Sequence, residues 1–321
     1  MRVLVHSDDA NAWCKALSRR LPHAEVLPSS VPDEQRGTID YLAAWKPSAE
    51  LLSQLPSLKG IINLGAGVDA LFNNPALPSG VPIVKLRDAG MAELIADYVR
   101  YGLLYFQRDF DRYARQQANQ HWHPHAVVDK ADWPVGVLGL GAIGRKVAEA
   151  VAADGFPVHG WSRRPKQLAN IQCHHGDDGL YALLSRVKTL VLLLPDTPAT
   201  RGIINADTLA ALPVGASLIN PGRGTLIEEP ALLAALGDVE KIGKASDQDA
   251  SAGRLRGALL DAFPVEPLPS DSPLWCHPNI RITPHMSGPT PLGAALDQVA
   301  DTLRAMDQGE SVETVDPQAG Y

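Results

Sequence analysis

One stretch of the chain combines a short apolar strand, a glycine-rich turn and the start of an amphipathic helix. Residues 135–138 favour a β-strand, and the three glycines that follow have the spacing G-x-G-x-x-G. In such a unit the glycines permit a tight turn, close approach of a pyrophosphate, and packing of the helix on its strand. The pattern therefore predicts a dinucleotide site and disfavours an ordinary strand–turn–helix. The predicted pyrophosphate-binding residues are Gly139, Gly141, Ala142, Ile143 and Gly144.

The residues after the next predicted strand, 157–161, indicate which dinucleotide binds. An enzyme that uses NAD carries Asp or Glu at this point to bind the ribose hydroxyls. This chain has Ser162, Arg163 and Arg164 instead, followed by Lys166. Guanidinium groups bind a phosphate through charge-assisted hydrogen bonds. The sequence thus predicts NADP(H) in preference to NAD(H), with NAD(H) use still possible. The alternative, a solvated basic turn, leaves the missing acid unexplained.

Composition excludes several classes of protein. The 321 residues suffice for two domains, and the net charge of −7 argues against a general nucleic-acid binder. The cysteines, Cys14, Cys173 and Cys276, are too few and too far apart for a disulfide framework or a structural zinc site. No run is long enough for a signal peptide or a membrane span. We therefore expect a cytoplasmic protein with neither a membrane nor a nucleic acid as partner.

The first 86 residues alternate between short strands and short helices, which is typical of parallel βα units. Strands are predicted at residues 3–6, 24–27, 39–43, 60–64 and 83–86, and helices at 11–20, 49–55 and 68–72. A loop with two glycines, Gly65 and Gly67, follows the fourth strand. Its backbone N–H groups are suited to a small anion such as a carboxylate. A plain strand-to-helix turn is an equally good interpretation of this loop.

A long helix is predicted over residues 91–117, and it would carry the chain from one domain to the next. His121, His123 and His125 then alternate with Trp122 and Pro124. Proline interrupts the histidines, and no carboxylate or cysteine ligand is clustered with them. We favour an exposed arm or interface segment here and rank metal binding second, so no metal site is predicted.

Three chemically capable residues follow three successive predicted strands. These are Arg223, Glu266 and His285. Ligands of open parallel sheets lie at the carboxyl ends of the strands. There, Arg223 can hold a carboxylate and polarise a ketone, and His285 can give a proton to the carbonyl oxygen. Glu266 can hold the imidazole in one tautomer and stabilise its charged form. Each residue alone has a structural explanation (a salt bridge, a turn acid, a helix cap), but the three together favour catalysis.

An ordered set of motifs extends this pattern over nearly the whole chain. In order they are GLGAIG at 139–144, LLPDTP at 193–198, NPGRG at 220–224, LDAFPVEPL at 260–268 and TPH at 283–285. With them the chain resembles the D-isomer-specific 2-hydroxyacid dehydrogenases. Within that family it is most similar to the glyoxylate/hydroxypyruvate reductase A type. The segments that support this type are DYLAAW at 40–45, LGAGVD at 64–69, GM at 90–91, HW at 121–122, WSR at 161–163, SPLW at 272–275 and GY at 320–321.

The resemblance implies an α/β protein with two Rossmann-like, doubly wound parallel-sheet domains and a cleft between them. The substrate domain would be discontinuous, with residues 1–100 and 286–321. The NADP-binding domain would take residues 101–285, including a linker helix and a dimerisation arm. A homodimer is implied as well.

Residue roles are also implied by the resemblance. Arg223, Glu266 and His285 would be the catalytic set. The loop of Gly65, Ala66 and Gly67 would bind the substrate carboxylate, and Trp45 and Met91 would shape the pocket. Asp261 would meet the nicotinamide amide. The remaining residues near the cofactor would be Leu194, Pro195 and Thr200.

Three departures from the family pattern concern the loops. Pro221 and Gly222 replace the usual small residues before the arginine, and Met286, Ser287 and Gly288 replace the usual pair after the histidine. Residues 238–253 form a longer connection than is typical, which we interpret as a surface insertion.

The expected activity is NADPH-dependent reduction of small 2-oxo acids, glyoxylate to glycolate and hydroxypyruvate to D-glycerate. Two alternatives stay open. One is a reductase of bulkier 2-oxo acids such as phenylpyruvate. The other is a non-catalytic interaction protein that senses NAD(P).

Overall fold

The computed structural model describes residues 1–237 and 253–316. The predicted insertion, apart from Gly253, and the last five residues lie outside the described residues. The chain divides into two compact units, which are Met1–Met91 with Thr290–Tyr321 (unit 1) and Ala92–Pro289 (unit 2). The domain boundaries that the sequence predicts, residues 1–100 with 286–321 and residues 101–285, stay a prediction.

The described part of unit 1 contains a sheet of five parallel strands in the order β2-β1-β3-β4-β5. β3 and β4 are buried along their whole length, as expected for strands that helices cover on both faces. The strands are β1 (Arg2–His6), β2 (Glu25–Pro28), β3 (Tyr41–Ala44), β4 (Gly60–Asn63) and β5 (Ile83–Lys85). The helices of this unit are α1 (Ala10–Arg20), α2 (Ala49–Ser53), α3 (Asp69–Phe72) and the final helix α10 (Leu292–Asp307).

The described part of unit 2 contains a sheet of seven parallel strands in the order β12-β11-β10-β9-β6-β7-β8. The strands are β6 (Val135–Leu138), β7 (Val158–Ser162), β8 (Ile171–His175), β9 (Thr189–Leu192), β10 (Ala216–Asn220), β11 (Leu255–Leu260) and β12 (Ile280–Ile282). The helices are α4 (Met91–Gln107), α5 (Phe110–Ala118), α6 (Ala142–Ala153), α7 (Gly176–Leu184), α8 (Ala206–Ala211) and α9 (Glu229–Leu236), of which α4 begins at the last residue of the first segment of unit 1.

Both strand orders are doubly wound. In unit 2 the chain runs outward from β6 to β8 and then returns to β9 on the other side of β6, which is the Rossmann order extended by one strand. In unit 1 the order is that of flavodoxin-like sheets. The predicted α/β class with two doubly wound parallel sheets is confirmed. None of the helices formed by the described residues has the length and apolar run that crossing a membrane needs.

The predicted single helix over residues 91–117 is wrong, because the chain breaks between α4 and α5. Asp109 has a φ of 59°, in the left-handed region, where aspartate is tolerated better than most residues. Its buried carboxylate accepts a hydrogen bond from Arg256 Nη2 at 2.6 Å. Arg256 also binds Asp111, and only 10% of its side chain is exposed. A tertiary ion cluster therefore sets the break, and helical periodicity alone does not reveal it.

Candidate active site

The glycine turn joins β6 to α6 at the point where the strand order of unit 2 reverses. Gly139 has a φ of 104°, and a Cβ there would clash with the carbonyl of Leu193. A Cβ at Gly144 would clash with the carbonyl oxygen of Gly139. Both glycines are therefore required by the turn itself and by the packing of α6 on the sheet.

Gly141 differs from the other two glycines. It caps α6, and a Cβ there would have no described protein atom within 4 Å. Packing within the unit thus gives no reason for glycine at this position, whereas close approach of a pyrophosphate does. The first turn of α6, with Ala142 and Ile143, presents N–H groups beside it. These residues fit a dinucleotide.

A basic loop follows β7, the strand next to β6. Ser162 is buried, and its Oγ donates to the carbonyl of Arg164 at 2.8 Å. Arg163 and Arg164 are exposed. Lys166 Nζ donates to the carbonyl of Leu140, inside the glycine turn. Lys166 had no assigned role in the sequence pattern, yet its charge lies at the glycine turn. Its place in a basic loop, four residues after the end of β7, was the one sequence feature that could have indicated this role.

The loop after β9 is closed by a threonine. Thr200 Oγ1 donates to the carbonyl of Pro195 at 2.6 Å and accepts from the Thr197 N–H at 2.9 Å. Leu194 is buried in the core of unit 2. Thr200 therefore shapes this loop, and direct contact of Leu194, Pro195 and Thr200 with a cofactor stays a prediction.

Arg223, Glu266 and His285 follow β10, β11 and β12, which are adjacent and parallel. A Cβ at Gly224 would clash with the backbone of Phe263, so the loop that carries Arg223 packs directly on the loop that carries Glu266. The fold thus places the three residues on neighbouring loops at one edge of the sheet.

The loop with Arg223 is braced by a buried asparagine. Asn220, the last residue of β10, accepts from the Gly222 N–H at 3.1 Å and donates to the carbonyl of Arg223 at 2.9 Å. A Cβ at Gly222 would approach the carbonyl oxygen of Leu192 to 2.7 Å. Close packing against Leu192 therefore explains the glycine at position 222, where the sequence departs from the family pattern. The two hydrogen bonds of Asn220 fix the backbone at Arg223.

Glu266 and His285 are in direct contact. The imidazole Nδ1 lies 2.8 Å from Oε1 and 2.9 Å from Oε2 of the carboxylate. The Phe263 N–H donates to Glu266 Oε1 at 3.1 Å, which fixes the carboxylate. About a third of the His285 side chain is exposed (34%). A carboxylate at Nδ1 favours the tautomer with its proton on that nitrogen, so Nε2 faces away and can exchange a proton with a ligand.

Asp261 organises the loop that carries the histidine. It is fully buried, and Oδ1 accepts from Thr283 Oγ1 at 2.6 Å and from the Met286 N–H at 2.9 Å. Oδ2 accepts from the Ser287 N–H at 2.8 Å. These bonds flank His285, whose φ of 51° lies in the left-handed region. Asp261 therefore holds the loop in a backbone conformation that is uncommon for residues other than glycine. Its predicted contact with the nicotinamide amide stays a prediction.

Tyr98 of α4 extends this network. Its hydroxyl lies 2.7 Å from Thr283 Oγ1. Burial raises the pKa of Tyr98, so the hydroxyl stays protonated. No role was predicted for Tyr98, which its neighbours do not set apart, or for Thr283, which was named only as part of the TPH motif at 283–285.

In unit 1, the loop after β4 carries the residues predicted to bind a carboxylate. Asn63 Nδ2 donates to the carbonyls of Gly65 and Gly67, both at 2.8 Å. The Trp45 ring lies against Gly65, because a Cβ there would come within 2.8 Å of the ring Cε3. Trp45 and the glycine loop, with Ala66, are thus adjacent, as expected for residues that follow neighbouring strands.

Met91 lies near this loop through a shared threonine. Thr290 Oγ1 donates to the carbonyl of Leu64 at 3.2 Å and lies 3.7 Å from Met91 Sδ. Met91 is buried. Asn63 and Thr290 were both missed by the sequence pattern, which considered the glycines alone.

The chain is similar to known proteins of one family. The family model described as D-isomer specific 2-hydroxyacid dehydrogenase, NAD binding domain, matches residues 101–287. A curated relative from Photorhabdus laumondii, named glyoxylate/hydroxypyruvate reductase A, is 38% identical over 319 residues, which cover 98% of this chain and 97% of the relative.

Solved structures give the same result. A D-isomer specific 2-hydroxyacid dehydrogenase from Xanthobacter autotrophicus, in complex with NADPH and MES, is 38% identical with a TM-score of 0.89 over 99% of both chains. An NADPH-dependent glyoxylate/hydroxypyruvate reductase from Sinorhizobium meliloti, in complex with NADP and sulfate, is 32% identical with a TM-score of 0.86 over 100% of this chain and 99% of that one. The chain therefore belongs to the D-isomer specific 2-hydroxyacid dehydrogenase family.

Proposed function

We propose that this protein reduces small 2-oxo acids with NADPH, converting glyoxylate to glycolate and hydroxypyruvate to D-glycerate. The observation that carries the proposal is the contact between Glu266 and His285 at the carboxyl edge of a sheet with a dinucleotide-type glycine turn. The names of the relatives from Photorhabdus laumondii and Sinorhizobium meliloti support this substrate class.

The proposed chemistry divides among three residues. NADPH, when bound, supplies the hydride that the carbonyl carbon receives. His285 Nε2 gives its proton to the carbonyl oxygen, so a ketone or aldehyde becomes an alcohol. Glu266 stabilises the positive charge that His285 carries before the transfer. Arg223 binds the carboxylate of the 2-oxo acid and polarises the neighbouring carbonyl through charge-assisted hydrogen bonds.

The substrate carboxylate is proposed to bind backbone N–H groups of the loop in unit 1. Ala66 and Gly67 would supply these groups, and Gly65 permits the close approach of Trp45. Trp45 and Met91 would limit the size of the substrate. A bulky aromatic ring at position 45 favours small substrates over phenylpyruvate.

NADP(H) is the proposed cofactor. Solved relatives in complex with NADPH or NADP support this choice. In this chain Ser162, Arg163 and Arg164 would bind the 2′-phosphate, with Lys166 nearby. Reversing both charges, Arg163→Glu with Arg164→Glu, should lower kcat/KM for NADPH by about tenfold to a thousandfold, because two charge-assisted contacts are replaced by repulsion. The value for NADH should change far less.

A substrate panel tests the activity. Glyoxylate, hydroxypyruvate and phenylpyruvate are each mixed with the purified protein and with NADPH or NADH, and the loss of reduced-nicotinamide absorbance is followed. We expect fast NADPH consumption with the two small acids. A folded protein that leaves the absorbance unchanged with every acid and both cofactors refutes the proposal and favours a sensing role.

We also propose a cytoplasmic homodimer. Large apolar side chains are exposed on α4, on α5 and on the segment after it, which supports an interface there: Tyr101, Phe110, Trp122 and Val127. Light scattering should give twice the chain mass for the wild type and a smaller mass for Trp122→Asp. A monomeric wild type would contradict this interface. The predicted substrate domain, 1–100 with 286–321, and cofactor domain, 101–285, belong to the same proposal.

A further inference from the structure

The side chain of Asn63 makes an unusual pair of contacts. It is the last residue of β4 and is almost fully buried (2% exposed). The two N–H groups of one amide reach two carbonyls, those of Gly65 and Gly67, at the same distance of 2.8 Å. An asparagine amide has two donors, and both are used here on alternate residues of the loop. The carbonyl oxygens of these two glycines therefore point toward the same buried atom.

This arrangement turns donors outward. In a trans peptide the C=O and N–H groups point in opposite directions, so drawing the Gly65 carbonyl inward directs the Ala66 N–H away from Asn63. The second hydrogen bond holds the carbonyl of Gly67 and so fixes the peptide group between residues 67 and 68. The N–H of Gly67 belongs to the peptide group that lies between these two fixed groups. In the described ranges, no backbone or side-chain acceptor is seen for the Ala66 or Gly67 N–H. Both residues are half-buried.

The loop is restrained from other sides as well. Trp45 packs on Gly65, and Thr290 Oγ1 donates to the carbonyl of Leu64. With these restraints, each carbonyl in contact with Asn63 has a fixed direction. We propose that Asn63 is a positioning residue that presents the N–H groups of Ala66 and Gly67 to the carboxylate of the substrate. The inference rests on the proposed function, since it assigns a role within that carboxylate site.

Two substitutions separate this role from a purely structural one. Asn63→Asp keeps the size of the side chain, but an ionised carboxylate only accepts hydrogen bonds and repels both carbonyls. Protonation restores one donor, and burial raises the pKa of such an acid into an accessible range. Asn63→Leu removes both donors and has no proton to gain. The predicted signature is therefore a pH-dependent recovery in the first variant that the second lacks.

Oxalate serves as the probe, because it carries the required carboxylate and its binding needs no turnover. Calorimetric titration of the NADP⁺-loaded protein gives its affinity at about pH 8 and about pH 5.5. Dividing each variant's dissociation constant by that of the wild type at the same pH removes titrations common to both. At the higher pH we expect the dissociation constant of Asn63→Asp for oxalate to exceed that of the wild type by a factor of about ten or more. This factor should become smaller at the lower pH. Asn63→Leu should bind oxalate weakly at both pH values.

Further readouts distinguish the outcomes. NADPH affinity, measured by fluorescence, should stay at the wild-type value, and the KM for glyoxylate should rise more than kcat falls. Wild-type oxalate affinity in both folded variants, or a deficit in Asn63→Asp that ignores pH, overturns the role of Asn63. If Asn63→Leu fails to fold, Asn63→Ser replaces it and the same criterion applies. A wild type that turns over no 2-oxo acid refutes the proposed function, while the oxalate titration still decides the role of Asn63. A wild type that binds no oxalate overturns the role of Asn63 in presenting N–H groups to a carboxylate, whatever the turnover assay shows.

Discussion

Asp261→Asn is the substitution with the most sharply defined consequence. The carboxylate is fully buried and accepts three hydrogen bonds, from Thr283 Oγ1 and from the N–H groups of Met286 and Ser287. Asparagine has nearly the same shape but offers one acceptor oxygen and one NH₂ group. Whichever way the amide turns, the NH₂ group faces at least one of these donors.

The size of the effect follows from that count. If the oxygen stays toward Thr283 and Met286, the Ser287 N–H meets a donor and loses its partner, and a buried donor left unsatisfied costs about 1–3 kcal/mol. The two remaining bonds lose the strength that a charged acceptor gives them. Together we expect the free energy of unfolding to fall by about 2–4 kcal/mol. Because the bonds flank His285, kcat for glyoxylate should fall by about tenfold to a hundredfold as the imidazole is displaced.

Urea unfolding and steady-state kinetics measure the two effects. Asp271→Asn is the matched control, since it makes the same change of charge at an exposed position and should stay within about 0.5 kcal/mol of the wild type. A smaller loss of NADPH affinity than of kcat would indicate that Asp261 acts mainly through the histidine loop. Wild-type unfolding and kcat in Asp261→Asn would refute the reasoning.

Three further perturbations test other parts of unit 2. Arg256→Met leaves the buried carboxylates of Asp109 and Asp111 without this partner, and urea unfolding should show a free energy of unfolding lower by about 3–5 kcal/mol. The control Arg304→Met loses an exposed ion pair and should cost less than about 1 kcal/mol. Gly144→Ala places a Cβ on the turn carbonyl and should cost about 1–3 kcal/mol of stability and raise the KM for NADPH; an unchanged melting temperature would contradict that clash. Burial lowers the pKa of His159 and of His174, and Nδ1 of His159 lies 3.1 Å from Nε2 of His174. The folded state therefore takes up protons at lower pH than the unfolded state. The stability that these two groups contribute is full above about pH 6.5 and is lost as the pH falls through the lowered pKa values. Urea unfolding between about pH 7 and 5 should show this decline, and His174→Gln should flatten it.

Much of the site could be predicted because its residues follow strands that are readable as apolar runs. β6, β9 and β10 are buried throughout, and their sequences show it. In a parallel sheet the residues that follow successive strands meet at one edge, so Glu266 after β11 and His285 after β12 could be predicted to lie together. The glycine turn was predictable for the same reason, since its spacing reflects packing between close neighbours in sequence.

The features that could not be predicted from the sequence depend mostly on contacts between residues that are distant in the chain. Arg256 of β11 binds Asp109 at the break between α4 and α5, and helical periodicity does not indicate this contact. Lys166 and Asn63 act on backbone carbonyls, which no sequence pattern identifies as partners. The edge strand β8 was missed because its sequence, IQCHH, lacks an apolar alternation.

The construction of unit 1 from two distant chain segments has a consequence for biosynthesis. α10 contributes a buried face that includes Leu296 and Leu303, and Arg20 of α1 binds Asp297 of α10 at 2.7 Å. The Val315 N–H also donates to the carbonyl of Ile83. On the ribosome, all of unit 2 is made before these partners exist, so the first segment must wait with part of its apolar surface uncovered. Unit 2 can complete its fold first, and the earliest residues to be synthesised are among the last to be buried.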